Sequence, residues 1–133
     1  MLISCKKSLN TNYSIWYVDS NKYVTSNVVT NFDRTEVHVL CYDRPHYFAF
    51  NFPMGGFTDG QSFKLTGGLI NFGLCAAAFI QDTTVYLPAP NSSTKFVTNI
   101  INNKAVWVID STVCINRYYP FDTVIINGIF REQ

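Results

Sequence analysis

Apolar and polar side chains alternate along several short segments of this chain, and this period of two is typical of β-strands with one buried face. Thr35–Tyr42 alternates in this way, and so does Tyr47–Phe52. Between them, Asp43-Arg44-Pro45 predicts a turn, because proline fixes its own φ and biases the preceding residue toward extended backbone. The two apolar faces consist of Val37, Val39, Cys41, Phe48, Phe50 and Phe52. The phenylalanine face is therefore our candidate for the main core.

Further strands are predicted wherever β-branched and aromatic residues lie between clusters of turn-forming residues. These strands are Ser14–Val18, Tyr23–Thr30, Thr83–Leu87, Ala105–Ile115 and Thr123–Phe130. The stretch from Gly55 to Gly68 reads as a long loop or a short hairpin. The chain shows no internal repeat and no linker-like change of composition. We therefore expect residues 1–133 to form a single domain.

Two segments favour helices over strands. Leu69–Gln81 is apolar almost all round, contains three alanines and lacks valine, which favours a helix surrounded by other elements. A pair of buried strands is the alternative that periodicity leaves open. Ser93–Asn103 has a stripe of four apolar residues and serines that suit a helix N-cap. Many strands with one or two helices predict an α+β fold with a mainly antiparallel sheet.

Charge excludes several classes of protein. Only 14% of the residues are charged and the net charge is +1, so no net electric field attracts nucleic acid or anionic lipid. The 47% of apolar residues is too high for a disordered tail. The longest apolar run, Leu69 to Ile80, is too short for a membrane helix, and the N-terminus lacks the apolar core of a signal peptide.

The four cysteines, Cys5, Cys41, Cys75 and Cys114, lie far apart in the sequence. They could form two disulfides in three connectivities. A chain of this length buries enough core without disulfides, so we expect buried free thiols.

No motif for catalysis, metal binding or cofactor binding is complete. Residues 55–62 match a phosphate-binding loop, except that Gln61 stands where the lysine should be. Neither His38 nor His46 belongs to a His-x-Ser/Thr motif, although Glu36 could meet His38 on one strand face. Cys41 and His46 could in principle pair as nucleophile and base. We expect no enzyme activity, no cofactor and no metal.

Two turns combine aromatic rings with polar side chains, as sugar-binding sites do. One is Asn116-Arg117-Tyr118-Tyr119 and the other is Asp43–Tyr47. Aromatic rings can stack on a sugar, while arginine, asparagine and histidine can bond its hydroxyl groups. The alternative is that these rings simply pack over the sheet ends. Our candidate ligand-binding residues are Asn116, Arg117, Tyr118, Tyr119, Arg44, His46 and Trp16.

The composition is rich in Asn, Thr, Tyr and Phe and poor in Lys and Glu. With the strand pattern over the whole chain, it resembles the distal receptor-binding head of the rotavirus spike protein. The nearest form is the group B head, since the signature stretches of the group A and C heads are missing. The resemblance implies an antiparallel sheet curved around a helix. It also implies non-catalytic binding of host glycans that contain galactose and N-acetylglucosamine.

The first functional hypothesis is therefore a lectin-like viral attachment domain on the virion surface, made in the host cell without a signal peptide. Its partners would be host cell-surface glycans and the remainder of a larger spike polypeptide, with no nucleic acid and no membrane insertion. The alternative is a non-enzymatic viral structural or accessory domain that acts through protein–protein contact. A small phosphodiesterase or hydrolase that uses His38 or His46 ranks third.

Overall fold

The computed structural model describes residues 13–53, 57–67, 74–90, 93–118 and 120–133, and this part contains eleven β-strands and no helix. The strands are β1 (Ser14–Val18), β2 (Asn21–Thr25), β3 (Asn27–Phe32), β4 (Glu36–Asp43), β5 (His46–Pro53), β6 (Ser62–Thr66), β7 (Leu74–Gln81), β8 (Thr84–Pro88), β9 (Lys95–Ile101), β10 (Lys104–Asn116) and β11 (Thr123–Arg131). No described helix has the length and apolar character needed to cross a membrane.

All eleven strands belong to one sheet with the order β2-β1-β11-β10-β9-β6-β7-β5-β4-β3, while β8 pairs with both β7 and β10. Among the described strands, every pair is antiparallel except β6 with β7. The strands at the two ends of this order, β2 and β3, are separated in the chain only by Ser26. The first strand also pairs with the last, with Ile15 opposite Ile129. The sheet therefore curves so far that its two end strands, β2 and β3, follow each other directly in the chain.

The concave side of the sheet encloses an aromatic core. Strands far apart in the sheet order meet there: the ring centroids of Phe48 on β5 and Phe130 on β11 lie 4.5 Å apart. Phe50 lies 4.9 Å from Phe96 and 5.3 Å from Trp107, again between centroids. Each fully buried aromatic side chain contributes about 1.5–3 kcal/mol of transfer free energy. The predicted phenylalanine face of β5 is confirmed as core, since its three rings are at most 2% exposed.

The predicted helix Ser93–Asn103 is wrong, because Lys95–Ile101 forms β9. Asn102 and Asn103 both have positive φ, at 52° and 63°. Two such residues make the tight turn that matches strand twist in a hairpin, and β10 then pairs back along β9. The β-branched residues of this segment suit a strand better than a helix.

The predicted helix Leu69–Gln81 is also wrong where it can be compared, because Leu74–Gln81 forms β7; residues 69–73 lie outside the described part. β7 pairs with β5 on one side and with β6 and β8 on the other. Its inward residues pack in the core and its outward alanines are half-buried. Both faces of this strand are therefore apolar, which is why the sequence resembled a buried helix. Because both predicted helices are strands where they can be compared, the α+β class is corrected to all-β: the described residues contain no helix inside the curved sheet.

The other strand predictions agree with the structure to within one or two residues at each end, with two differences. Tyr23–Thr30 is interrupted at Ser26, which separates β2 from β3. The stretch from Gly55 to Gly68 contains β6, and its residues 55, 56 and 68 lie outside the described part.

Candidate functional site

A groove follows the outer face of β3, β4, β5 and β7, and its centre is a cavity of about 400 Å³. The floor of the cavity consists of Ala49 on β5 with Ala76 and Ala78 on β7. Ala49 lies directly opposite Ala78 in the register of the two strands. Because side chains alternate between the two faces of a strand, the bulky neighbours of these alanines point into the core. Only the methyl groups of these alanines remain on the outer face, and the cavity exists because they are so small.

Strand register arranges the outward side chains of the groove in three parallel rows. The first row is polar and contains Asn31, His38 and Asn51, followed by Ala76. The second row is apolar and consists of Val29, Leu40, Ala49 and Ala78. The third row contains Asn27, Tyr42, Tyr47 and Ile80. At about 3.3 Å per residue, the polar and tyrosine rows lie ~13 Å apart along the strands.

The tyrosine row forms one end of the groove, where a cavity of about 560 Å³ shares Leu40 with the central one. The rings of Tyr42 and Tyr47 meet edge to face, with centroids 5.7 Å apart. Arg44, on the turn between β4 and β5, lines the same cavity and is exposed. The predicted ligand residue Arg44 therefore lies beside two tyrosine rings.

A third cavity, of about 450 Å³, adjoins the central one across β8, and Gly67 and Leu87 line both. A Cβ atom on Gly67 would come within 2.7 Å of the Leu87 Cβ. Glycine at this position therefore allows β8 to approach β6 and close the wall. Arg117 lines the third cavity, so an exposed arginine lines each of the two cavities that adjoin the central one.

Asn116 has a structural role in the turn between β10 and β11. Its Nδ2 donates to Asp122 Oδ1 at 2.8 Å, and its Oδ1 accepts from the Tyr118 amide at 3.0 Å. The Tyr86 hydroxyl donates to the other Asp122 oxygen at 2.8 Å. The bonds from Asn116 and then Tyr86 hold the pKa of Asp122 below its usual value, because they stabilise the carboxylate. Asn116 is nearly buried and serves the turn.

The neighbours of Asn116 point away from the core. The Arg117 guanidinium lies 5.8 Å from the centroid of the Tyr118 ring, a cation–π distance, and both side chains are exposed. Tyr119 lies outside the described residues.

Two predicted ligand residues lie away from the groove. Trp16 is fully buried, stacked between Tyr23 and Phe130 at centroid distances of 5.7 and 6.0 Å. His46 packs edge-on against Tyr23 at 4.6 Å and stacks on Phe79. Trp16 offers a ligand no accessible surface, and half-buried His46 lines none of the three cavities described above.

His38 meets two carboxylates at the rim of the groove. Its Nε2 lies 3.2 Å from Glu36 Oε2, as their shared strand face predicts, and 3.1 Å from Asp33 Oδ2. The amides of Thr35 and Glu36, followed by His38, lower the pKa of Asp33 to about 2. The donor atoms of these three residues lie within 4.8 Å of one another. That spacing is compatible with a cation, and the side chains of Asp33, His38 and Glu36 are 53%, 45% and 32% exposed.

The pairing of Cys41 with His46 does not form. Cys41 points into the core opposite Phe48, whereas His46 lies opposite Asp43. Burial raises the pKa of the Cys41 thiol far above its usual value, which suppresses the reactive thiolate. Within the described part, Cys41, Cys75 and Cys114 are buried free thiols, as expected.

Most residues of the groove were not predicted from the sequence. The available signal was the outward half of each alternating strand, where Asn51, Tyr42 and Tyr47 occupy positions that point away from the core. Which strands lie beside each other depends on long-range pairing, and the alternation alone does not contain that information.

Comparison with protein-family models, curated proteins and solved structures finds no match to this chain. The resemblance to spike heads therefore stays a prediction.

Proposed function

We propose that the protein binds glycans, without catalysis, in the groove on the outer face of β3, β4, β5 and β7. The observation that carries the proposal is the set of three cross-strand rows. A polar row and a tyrosine row flank a floor of methyl groups. A sugar needs this combination, because its hydroxyl groups require hydrogen-bonding partners while its C–H face favours aromatic and apolar contact.

Each row has a distinct part in this proposal. The amides of Asn31 and Asn51 both donate and accept hydrogen bonds, so they suit hydroxyl groups. Tyr47 and Tyr42 give contact area at small cost in conformational entropy. The alanine floor allows a pyranose ring to approach the backbone closely.

The groove is long enough for more than one sugar ring, given the ~13 Å between its polar and tyrosine rows. The middle row contains no charged side chain, which favours a neutral glycan there. The resemblance to spike heads suggests the class of ligand. We propose host glycans that contain galactose and N-acetylglucosamine, which the protein would bind during attachment to a cell. Arg44 and Arg117 would then contact sugar residues of the glycan that lie beyond the central cavity.

A glycan array followed by titration with N-acetyllactosamine tests the proposal. We expect Asn51→Ala and Tyr47→Ala each to weaken binding by about 1–2 kcal/mol, or roughly tenfold, which is the scale of a lost hydrogen bond or aromatic contact. Asn99→Ala and Tyr13→Ala are matched controls, since both positions lie outside the groove. We expect these controls to bind like the wild type.

Ala49→Leu gives a second, steric test. The added carbons would fill the cavity floor on the solvent side, so binding should be lost while stability stays within about 0.5 kcal/mol of wild type, the range of surface substitutions. Unchanged affinity in Ala49→Leu would exclude the groove. Hydrolysis of the glycan, detected by mass spectrometry after incubation, would exclude binding without catalysis.

A further inference from the structure

A fourth cavity, of about 490 Å³, lies on a different part of the outer surface, over β1, β11 and β10. It is located at a break in the register of β10 with β11. Ile109 lies opposite Gly128 and Thr112 lies opposite Ile126. Two residues, Asp110 and Ser111, therefore oppose Asn127 alone, which is the count that defines a β-bulge.

The bulge places consecutive polar side chains on one side of the sheet. Both Asp110 and Ser111 are exposed, although neighbours in a regular strand would point to opposite faces. Both line the cavity together with Asn127. Bulges often redirect a side chain beside a binding site, and here the result is a carboxylate, a hydroxyl and an amide around one depression.

An aromatic ring and aliphatic side chains complete the cavity. Tyr17 lies directly opposite Asn127 in the register of β1 with β11, and Ile15 lies opposite Ile129. All four side chains line the cavity. The polar groups of the cavity thus lie over β10 and the middle of β11. Its apolar side chains are Ile15 and Tyr17 on β1 and Ile129 on β11.

The Asp110 carboxylate limits what can bind. Among the described residues no cation lies within ion-pair distance of it. An anionic ligand would be repelled by this carboxylate. A protein surface docked here would bury the carboxylate, which is unfavourable unless that surface supplies a cation. A neutral ligand with hydroxyl groups would donate to it, and charge-assisted bonds of this kind are among the stronger hydrogen bonds.

We propose that this bulge cavity is a second saccharide site, which binds one neutral pyranose ring. Asp110 and Asn127 bond vicinal hydroxyl groups, Ser111 bonds a third polar group, and Tyr17 covers the apolar side of the ring. The site shares no residue with the groove, so each proposal can fail while the other holds. If both hold, one molecule contacts two sugars on separate parts of its surface.

The test is a ¹H–¹⁵N correlation titration with methyl β-D-galactopyranoside in the Ala49→Leu variant, whose groove is blocked. We expect saturable shifts at the amides of Asp110, Ser111 and Gly128. Tyr17→Ala in the same background should raise Kd at least fivefold. Its matched control is Tyr13→Ala, an exposed tyrosine just before β1 that does not line the cavity, and this variant should change Kd less than twofold. Asp110→Asn should also weaken binding severalfold, with Asp82→Asn as the control for loss of a surface charge.

Dispersed amide signals confirm that each variant is folded. If Tyr17→Ala does not fold, the exposed Asp110→Asn variant decides the question alone. Absence of saturable shifts at the bulge overturns the second site, and so does equal affinity in the Asp110→Asn and Asp82→Asn variants. Shifts confined to the groove in the wild type would overturn the second site and leave the groove proposal standing. Bulge signals that change with protein concentration and not with sugar would identify a self-association surface instead.

Discussion

Ala77 and Ala78 are neighbours in β7 that point to opposite faces, and an aspartate at each position should have very different effects. Ala77 is 6% exposed and packs in the core opposite Phe50. Ala78 lies on the outer floor of the groove. We expect Ala77→Asp to be strongly destabilising and Ala78→Asp to cost about 1 kcal/mol, which is the range of strand propensities.

The magnitude at Ala77 follows from ionisation. A carboxyl group that must stay neutral in the core loses about 1.4 kcal/mol for each pH unit above its unfolded pKa of about 3.9. At pH 7 this penalty reaches ~4 kcal/mol, and the extra volume adds about 1–3 kcal/mol. A typical domain has only about 5–15 kcal/mol of stability, so the variant would be at the limit of folding.

The sign of the pH dependence separates this mechanism from simple crowding. Burial raises the folded pKa of the new aspartate, so the penalty is absent below the unfolded pKa and grows as pH rises toward the folded pKa. Urea unfolding at pH 4.5 should show ~3 kcal/mol less ionisation penalty than at pH 7. Ala77→Asn, of similar volume and without charge, should show no such pH dependence. Equal destabilisation at Ala77 and Ala78, or a pH-independent Ala77→Asp, would refute the assignment of β7 as a strand with one core face.

Three other predictions concern separate parts of the fold. Gly128→Ala should destabilise the protein by about 1–3 kcal/mol in urea unfolding through overpacking, because its Cβ would lie 2.8 Å from the Trp16 Cβ; an unchanged midpoint would contradict this. Asp33 should titrate near pH 2 by carboxyl NMR, so its stabilising contribution is present above pH ~4 and is lost as pH falls through 2. His38→Ala should raise that pKa only in part, because the backbone amides remain; full return to the ordinary value would refute their leading role. Burial raises the pKa of the Cys114 thiol to about 12, so iodoacetamide should label it in the native protein at pH 8 at least a hundredfold more slowly than in urea; equal rates by peptide mass spectrometry would show that it is accessible.

Local patterns were sufficient to predict most of the strands. Val37, Val39 and the phenylalanines of β5 are buried as their alternation indicates, because a strand with one buried face has a clear period. The turn at Asp43-Arg44-Pro45 was also predicted from its residues. These features depend only on neighbours in the sequence.

The two helix predictions failed for reasons that lie outside the segments concerned. β7 has apolar residues on both faces because one face packs in the core and the other lines the groove, and a buried helix has the same pattern. β9 has a helical spacing of apolar residues by coincidence, and the paired asparagines after it were the better signal. Recognition of Asn102 and Asn103 as a hairpin turn would have corrected that segment.

The candidate site was only partly predictable. Arg44 and Arg117 were selected for their turns, and they line the two cavities that adjoin the central one. Its central polar residues, Asn31 and Asn51, come from β3 and β5, and they share a row only because β4 lies between those strands. No local pattern specifies that arrangement.

The pairing of β1 with β11 has a consequence for how the protein is made. Ile15 can pair with Ile129 only after more than a hundred further residues have been synthesised. Until then Phe48 and Phe50 lack the Phe130 ring that covers them in the finished fold. Contacts between residues so distant in the chain form slowly, and an uncovered aromatic face is prone to aggregation in the meantime. We therefore expect chaperone binding, or rapid completion of translation, to raise the yield of folded protein by protecting the core before the last strand is made.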